Sequence, residues 1–522
     1  MLALLLPLGA WGQSPKERAD LNMAVQKVGT TLMAIKALYI DTVNTMQMGD
    51  EAIKGMLAQL DPHSAYSTAD ETKRLTEPLN SNFEGIGVQF NVLNDTLVVV
   101  QPVSKGPSEK AGILAGDRII LVDNVPIAGV KMPQEEMMKK LRGRKGSVVV
   151  VGVVRRGVKE VLSFRLVRDK IPLHSVDASY MIRPEVGYIR LGNFAAGTKD
   201  ELHDAIKKLK KEDMKDLILD LQMNGGGYLE AAYAVASEFL EKGDLVVYTD
   251  GRTVPKQRHT ATGKGSFTKG RLIILVDEYT ASAAEIVSGA VQDHDRGTIV
   301  GRRTFGKGLV QHPISLPDGS MVRITVSHYY TPSGRCIQKP YKKGHKKEYD
   351  GDMLNRYNNG ELMHLDSIHF ADSLKCYTLK EHRVVYGGGG IMPDVFVPLD
   401  TTVYTKYYRD LGRKNIIINC LMSYTDNHRK ELKGKYKHFE DFNSTFEVPQ
   451  ELLDSIVSRG EKMDVRPADD EEMQKTMVRL RLQVKALLAR DIWDIGEYYA
   501  IMNEENDIVK RALQLLEKEK QP

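Results

Sequence analysis

Several features that define whole classes of protein are scarce in this sequence of 522 residues. It contains three cysteines, Cys336, Cys376 and Cys420, and no Cys-x-x-Cys pair or cysteine–histidine cluster at zinc spacing. A small disulfide-stapled scaffold and a structural zinc site are therefore excluded, whereas one disulfide with a free thiol, or three free thiols, both remain open. The 73 basic residues nearly balance the 69 acidic ones, and no long basic stripe is present, which argues against nucleic-acid binding.

Long apolar runs are also missing, except at the N-terminus. Elsewhere no stretch approaches the roughly 18 apolar residues that a membrane-spanning helix requires. The apolar run at 1–8 is followed by small residues at Ala10 and Gly12, a pattern typical of a signal-peptidase site. We therefore predict a signal peptide at 1–12, truncated because its basic start is missing, and export to the periplasm or another compartment outside the cytoplasm. A buried helix start is the alternative interpretation.

The remaining chain is long enough for three or four domains at about 150 residues each. Residues 14–60 have helical periodicity, and from Phe83 onward short β-rich runs indicate a compact module. From Val186 strands and helices alternate, which is typical of an α/β core. Residues 338–385 are polar and predict a surface insertion, while residues 401–522 are mostly helical and charged.

Two loops that follow predicted strands carry residues suited to chemistry. Asn224–Gly227 is a glycine run before a helix, where exposed N–H groups can hold an anion or an oxyanion, although a plain tight turn explains it equally well. Ser282 follows the predicted strand at 272–277 and starts a helix, whose dipole favours a developing alkoxide. Simple helix capping is the alternative role for this serine.

A serine nucleophile needs a base, and the sequence offers two candidates. His294 lies 12 residues farther along the same predicted helix, which places it about 18 Å from Ser282 and excludes it. Lys307 follows the next strand, which can return the chain to the start of that helix. A lysine acts as a base only when neutral, so we expect burial to lower its pKa. Gln311 can orient the amine, and Ser–Lys pairs are a known variant of the catalytic triad.

Eight short motifs occur in order within about residues 25–400. They are Leu60–Tyr66, Phe83–Val88, Ala111–Asp117, Asp220–Gly227, Ser282–Ile286, Gly301–Gly308, Tyr330–Arg335 and Gly390–Asp394. Together they resemble the motifs of C-terminal processing peptidases, also called tail-specific proteases, which use a Ser–Lys pair. The resemblance implies that Ser282 is the nucleophile, Lys307 the base and Gln311 its support. It also implies an oxyanion hole at Gly226 and Ala283.

The glycine loop departs from the family pattern. Where the family often has Arg-Asn-Asn-Pro-Gly-Gly, this chain has Gln222-Met-Asn-Gly-Gly-Gly227. The missing arginine and proline leave open which glycine amide faces the site.

Residues 84–167 resemble a PDZ domain. The resemblance implies that Glu84–Gly87 binds a terminal carboxylate and that the peptide adds as a strand beside Val88–Phe90. The predicted peptide-binding residues are Gly85, Ile86, Gly87, Val88 and Arg142. The basic residue Arg142 matches a position that couples PDZ placement to the active site in the family, and a solvated helix-end arginine is the alternative.

We therefore predict a multidomain α/β protein with a crotonase-like α/β peptidase core, an inserted PDZ domain, an N-terminal helical segment and a C-terminal helical extension. The predicted boundaries are 1–12 for the signal peptide, 13–80 for the N-terminal helical region, 82–170 for the PDZ domain, 171–400 for the core with its insertion, and 401–522 for the helical extension.

The predicted function is that of a serine endopeptidase that needs no metal or cofactor. Its predicted partners are protein or peptide substrates with free, apolar C-termini, together with an adaptor protein or a second copy of the chain. The alternatives are a catalytically silent PDZ scaffold and a crotonase-like acyl-CoA enzyme. Both are disfavoured because Ser282, Lys307 and Gln311 occur together with the PDZ-like stretch.

Overall fold

A computed structural model describes residues 14–518, which form two compact units. The first unit contains the described residues up to Lys73 together with Gln311–Thr325 and Tyr341–Gly351, and the second contains Arg74–Val310, Val326–Pro340 and the described residues from Asp352 onward. The predicted signal peptide at 1–12 lies outside the described residues. None of the helices between residues 14 and 518 is long and apolar enough to cross a membrane.

The first unit begins with two helices, α1 (Pro15–Leu38) and α2 (Thr45–Leu57). A capping box starts α1, since Ser14 and Glu17 exchange hydrogen bonds between side chain and backbone. Asn44 starts α2 by accepting hydrogen bonds from two backbone N–H groups. The helical stretch predicted over 14–60 is therefore two helices, because a second N-cap interrupts it.

A short strand, β1 (Ala65–Ser67), follows these helices. It pairs antiparallel with residues 321–323, with Ala65 opposite Arg323. This long-range pairing explains why a late part of the chain belongs to the first unit. The domain boundaries predicted from the sequence stay predictions.

The second unit starts at Arg74, within a helix, and continues with a small sheet module. In chain order its elements are α3 (Ala69–Leu79), β2 (Asn82–Gly85), β3 (Val88–Leu93), β4 (Thr96–Pro102), α4 (Pro107–Ala111), β5 (Arg118–Val122), β6 (Val125–Pro126), α5 (Gln134–Leu141), β7 (Val148–Val154), β8 (Leu162–Val167) and β9 (Asp169–Pro172). The sheet order is β3-β4-β5-β7-β8, with β6 on β5 and a separate β2–β9 pair. Within the described residues β3 pairs only with β4, so β3 is an edge strand that a peptide can extend.

The α/β core follows in the chain. Its elements are β10 (Val176–Arg183), β11 (Val186–Leu191), α6 (Thr198–Lys211), β12 (Asp216–Asp220), α7 (Leu229–Ala236), β13 (Leu245–Asp250), β14 (Gln257–Thr260), β15 (Leu272–Val276), α8 (Ala283–Asp293), β16 (Thr298–Gly301), β17 (Leu309–Ser315) and β18 (Met321–Tyr330). The main sheet has the order β10-β11-β12-β15-β16 and then residues 395–396, and it is parallel from β11 onward. In the second unit β13 pairs with β14 and with the end of β18.

The rest of the chain is mainly helical. Its elements are α9 (Lys346–Asp350), α10 (Asp352–Asn358), β19 (Lys375–Tyr377), β20 (Val384–Tyr386), β21 (Val395–Phe396), α11 (Lys406–Arg413), α12 (Ile416–Lys435), α13 (Phe439–Thr445), α14 (Gln450–Lys462), α15 (Asp470–Ile492), α16 (Ile495–Met502) and α17 (Asp507–Lys518), with 3₁₀ turns at Leu365–Ser367, Asp372–Leu374 and Asn503–Glu505. The fold is thus a mixed α/β core with a small sheet module ahead of it and helical segments at both ends.

The main sheet is covered by helices on both faces. Leu217 and Leu219 pack with residues of α6, α7 and α8, whereas Ile218 between them packs with α17 at the other end of the chain. This alternation within β12 is expected of a strand buried on both sides. In parallel sheets of this kind, sites form at the carboxyl ends of the strands. Here the loops after β12, β15 and β16 lie at those ends.

Most residues of the predicted surface insertion at 338–385 are exposed, but a few of its charged side chains are buried. Its Arg356 is 2% exposed and Lys339 is 4% exposed, although the segment is polar in sequence. Both side chains contact specific polar partners, described below, which sequence composition does not reveal. The three cysteines are unpaired in the structure.

Candidate active site

Ser282 lies in the tight turn between β15 and α8. Its backbone has φ 56° and ψ −114°, a conformation that residues other than glycine rarely adopt. Its N–H donates to the Glu285 carboxylate, with 2.8 Å between Ser282 N and Oε2. A strained serine between a strand and a helix N-terminus is a recurrent arrangement for a nucleophile.

Lys307 lies in the loop between β16 and β17, and it is partly buried. Its backbone N–H donates to the same Oε2 atom of Glu285, at 2.9 Å. Two N–H groups that share one oxygen at hydrogen-bond distance lie within about 6 Å of each other. The structure therefore brings the serine loop and the lysine loop together, as the proposed pairing of these residues requires.

Glu285 is the residue that joins these loops, and the sequence interpretation missed it. Its side chain is fully buried, and Oε1 accepts hydrogen bonds from Gly306 N at 2.7 Å and Thr304 Oγ1 at 2.5 Å. Burial raises the pKa of Glu285, and the hydrogen bonds from Thr304 and the backbone oppose that shift by favouring the carboxylate. The spacing Ser282-x-x-Glu285 before an apolar run is the signal that could have revealed it as a capping box.

Gly226 and Ala283 both lie against Ser282. A Cβ atom on Gly226 would lie 2.8 Å from Ser282 Cβ and 2.9 Å from Ala283 N, and Gly226 has φ 96°, so only glycine fits. Ala283 N is the first N–H of α8 and has no acceptor within the helix. The N–H of Gly226 donates to Asn224 Oδ1 at 2.9 Å. The oxyanion role of both residues stays a prediction, since this hydrogen bond already engages one of the two amides.

Arg190 of β11 holds the glycine loop through hydrogen bonds. Like Glu285, it was missed by the sequence interpretation. Its guanidinium bonds Asp220 Oδ2 at 2.6 Å and the Gln222 carbonyl at 2.8 Å. The Tyr499 ring of α16 covers it, 4.4 Å from the guanidinium carbon. Although Gln222 stands where the family often has arginine, the loop is therefore still held by a buried guanidinium.

The structure supports the sequence interpretation of His294 but does not test that of Gln311. Gln311 belongs to the first unit, where its Nε2 donates to Thr325 Oγ1 at 3.3 Å, so its support of Lys307 stays a prediction. His294 follows the last residue of α8, and its Nε2 donates to the Leu245 carbonyl at 2.8 Å. The interpretation of His294 as a helix-end histidine, remote from Ser282, is confirmed.

The predicted carboxylate-binding loop is held in place through its carbonyl groups. The Ile86 carbonyl accepts from Ser108 N at 3.0 Å and Oγ at 2.7 Å, and the Gly87 carbonyl accepts from Val103 N at 3.0 Å. Gly85 ends β2 and Val88 starts β3, so the loop leads directly into the edge strand.

Arg142 lies at the C-terminal end of α5, but its guanidinium is paired rather than free in solvent. Its guanidinium pairs with Glu77 of α3 at 2.5 Å and lies 5.0 Å from the centre of the Phe83 ring. The residue thus connects the end of α5 to the segment that leads into the PDZ module.

The chain is similar to several known proteins and protein families. Residues 185–346 match the model of peptidase family S41, residues 85–166 match a PDZ domain, and residues 407–494 match a family of unknown function, DUF8443. A carboxy-terminal-processing protease from Bartonella bacilliformis is 36% identical over 317 residues, which is 60% of this chain and 72% of that protein. The carboxy-terminal processing protease CtpB of Bacillus subtilis is 33% identical, over 63% of this chain and 68% of that protein.

The chain belongs to the carboxy-terminal processing proteases of peptidase family S41. This S41 protease is accordingly a serine peptidase, and its PDZ domain recognises the C-termini of its substrates. The scaffold and acyl-CoA alternatives are therefore set aside. Among solved structures, it is 26% identical to a photosystem II D1 C-terminal processing protease, which it matches over 72% of this chain and 88% of that chain with a TM-score of 0.34.

Glu285→Gln is expected to slow proteolysis by this S41 protease while preserving its fold. The substitution replaces one acceptor oxygen by an NH₂ group that faces two donors, and leaving a buried polar group unpaired costs about 1–3 kcal/mol. We expect kcat to fall by about tenfold or more, measured with a fluorogenic peptide. Glu238→Gln is the matched control, because Glu238 is also buried and accepts from Ser266 N at 2.7 Å. Equal kcat values for the two variants would contradict the role of Glu285.

Gly87→Val is expected to weaken binding of peptides that end in a free carboxylate. Gly87 has φ 72°, and a Cβ there would lie 2.9 Å from Ile171 Cδ1. We expect the binding free energy to weaken by more than about 1 kcal/mol, a typical value for hydrogen bonds to a charged group. An amidated peptide should lose a similar amount of binding free energy on the unsubstituted protein. Calorimetry on the full chain carrying Ser282→Ala avoids cleavage.

The matched control for Gly87 is Gly129→Val. Gly129 has φ 73° but open space around the Cβ position, so this variant carries the same backbone strain without the collision. Equal affinities for acid and amide peptides, or an equal loss in the control, would show that the Gly87 loop does not read chain ends.

Proposed function

We propose that this protease cleaves peptide bonds with Ser282 as nucleophile and Lys307 as general base. The observation that carries the proposal is the single Glu285 oxygen that accepts both backbone N–H groups, at 2.8 and 2.9 Å. Held in this way, the serine and lysine loops keep a fixed separation. The strained backbone of Ser282 and the N-terminus of α8 further support a nucleophile at this position.

The proposed reaction has two steps. The neutral Lys307 amine takes the proton of the Ser282 hydroxyl as Oγ attacks the scissile carbonyl, and N–H groups such as that of Ala283 stabilise the oxyanion. The proton then passes to the leaving amine, the C–N bond breaks and an ester to Ser282 remains. A water molecule, deprotonated by Lys307, hydrolyses the ester and releases the new C-terminus.

Ser282→Ala and Lys307→Ala are each expected to abolish cleavage without unfolding the protein. A fluorophosphonate probe should label the unsubstituted protein at Ser282, with a rate that rises with pH because only the neutral amine acts as a base. Labelling should be lost in Ser282→Ala and reduced by at least about a hundredfold in Lys307→Ala. His294→Ala serves as control and should label normally. Normal cleavage by either catalytic variant would refute the assignment, as would a labelling rate that does not change with pH.

We also propose that the protein is exported, to the periplasm or an equivalent compartment. The support is in the sequence, namely the apolar run at 1–8 followed by Ala10 and Gly12. N-terminal sequencing of the protein recovered from fractionated cells tests this. A mature chain that starts near Gln13 outside the cytoplasm is expected, and an uncleaved cytoplasmic chain would contradict it.

A second copy of the chain is the partner that we propose for α1. Every residue of α1 is at least partly exposed, and its apolar stripe has the alternating four- and three-residue spacing of a coiled-coil seam: Leu21, Val25, Val28, Leu32 and Ile35. An unpartnered seam of this kind is costly in water, and an identical helix covers it.

Val28→Lys, on this seam, is expected to convert an oligomer into a monomer, because a charge would be buried between the helices. Light scattering after gel filtration measures the mass. Met33→Lys, which lies off the seam and is 66% exposed, is the control and should not change the mass. A monomeric unsubstituted protein would contradict self-association, and an adaptor protein would then be the remaining candidate partner.

A further inference from the structure

The insertion packs against the back of the lysine loop through α10. Arg356 of α10 is 2% exposed, and its guanidinium donates to the Arg303 carbonyl at 2.6 Å and to the Thr304 carbonyl at 3.1 Å. These two residues follow β16 and lead directly to Lys307. A buried guanidinium that donates to two successive carbonyls fixes the path of that backbone.

The same backbone is connected to the catalytic loops from its other side. Thr304 Oγ1 donates to Glu285 Oε1 at 2.5 Å, and the remaining oxygen of Glu285 accepts from Ser282 and Lys307. A continuous chain of hydrogen bonds thus leads from Arg356, through Thr304 and Glu285, to both loops. Each bond in this chain is at least partly buried, where hydrogen bonds are strong and unpaired groups are costly.

Two further contacts hold the same loop to the insertion. Glu361, three residues beyond α10, forms an ion pair with Arg303 and lies 3.6 Å from Arg356 Nε. The Lys339 ammonium pairs with Asp352 of α10 at 2.8 Å and lies 4.0 Å from the centre of the Phe305 ring. Residues 303–306 therefore contact both the α10 region and the chain that enters the insertion.

Gly306 gives the backbone conformational freedom directly before Lys307. It has φ 88°, and its carbonyl accepts from Lys339 N at 2.9 Å. Glycine permits many backbone conformations, so the residue before Lys307 does not by itself fix the position of the lysine. External contacts must select the conformation that places Lys307. Glu285 supplies them on the N–H groups of Gly306 and Lys307, and the insertion supplies them on the carbonyl groups of residues 303, 304 and 306.

We propose that Arg356 is a positioning residue for catalysis, which acts through Thr304 and Glu285 to hold Ser282 and Lys307 in register. The insertion then contributes to the geometry of the catalytic centre. The inference rests on the Ser282/Lys307 function proposed above.

Arg356→Met tests the proposal, because it keeps most of the side-chain volume and removes all donors. We expect the fluorophosphonate labelling rate and kcat to fall by at least about tenfold, since small displacements of catalytic groups are costly, while KM stays within about twofold. The rise of labelling with pH should move to more alkaline pH, because a loosened loop admits water to the Lys307 amine. A role in stability alone would lower the melting temperature without moving this pH profile.

Lys375→Met is the matched control within the insertion. Lys375 forms an exposed ion pair with Asp372, so its loss should change neither the labelling rate nor the pH profile. A folded Arg356→Met variant with the labelling rate and pH profile of the unsubstituted protein would overturn the proposal.

Glu361→Gln decides the question if Arg356→Met does not fold. It keeps the side-chain shape and weakens the ion pairs with Arg303 and Arg356, so we expect a smaller loss of labelling with the same alkaline shift. No change in this variant would overturn the proposal. Failure of the Ser282/Lys307 function is distinguishable, because the unsubstituted protein would then not label at Ser282 or would label without Lys307.

Discussion

The active site depends on one buried carboxylate. Desolvation of Glu285 disfavours its charge and raises its pKa, and the charge is tolerable only because four donors surround it. The donors come from two loops, one at the start of α8 and one after β16. The same bonds that satisfy the carboxylate therefore hold together the two loops that carry the proposed nucleophile and the proposed base. A side chain with no reactive step of its own in the proposed mechanism determines the geometry of the reacting pair.

The main sheet places these loops at one of its edges. Helices from the C-terminal part of the chain complete the covering of the sheet. The second face of the sheet is covered by α17, which packs on Ile218, Ile273 and Val300. Next to it, α16 places Tyr499 over Arg190, the residue that holds the glycine loop. The C-terminal helices are thus integral to the peptidase core, because without them a sheet face and a buried guanidinium would be open to water.

The PDZ module is attached to its surroundings more weakly. Its Arg118 pairs with Asp426 of α12 at 2.6 Å, and Arg142 pairs with Glu77, but the arginine side chains remain about a third exposed. Solvent around the arginine side chains screens these ion pairs and limits what each contributes to holding the module. A small apolar cluster of Leu93, Val98 and Met422 adds to them. The module that recognises chain ends is therefore attached by modest forces, in contrast to the catalytic loops.

Local pattern alone determined much of this protein. The alternation of strands and helices from Val186 predicted the α/β core, the motif residues Ser282 and Lys307 lie on loops that the structure brings together, and the helical spacing correctly excluded His294. These conclusions depend on neighbours in sequence or on rigid geometry along one helix. Only the tertiary structure revealed the long-range contacts of Glu285, Arg190 and Arg356. Each is a charged residue that hydrogen-bonds to groups that only the fold brings near it. Its burial cannot be recognised from the local sequence.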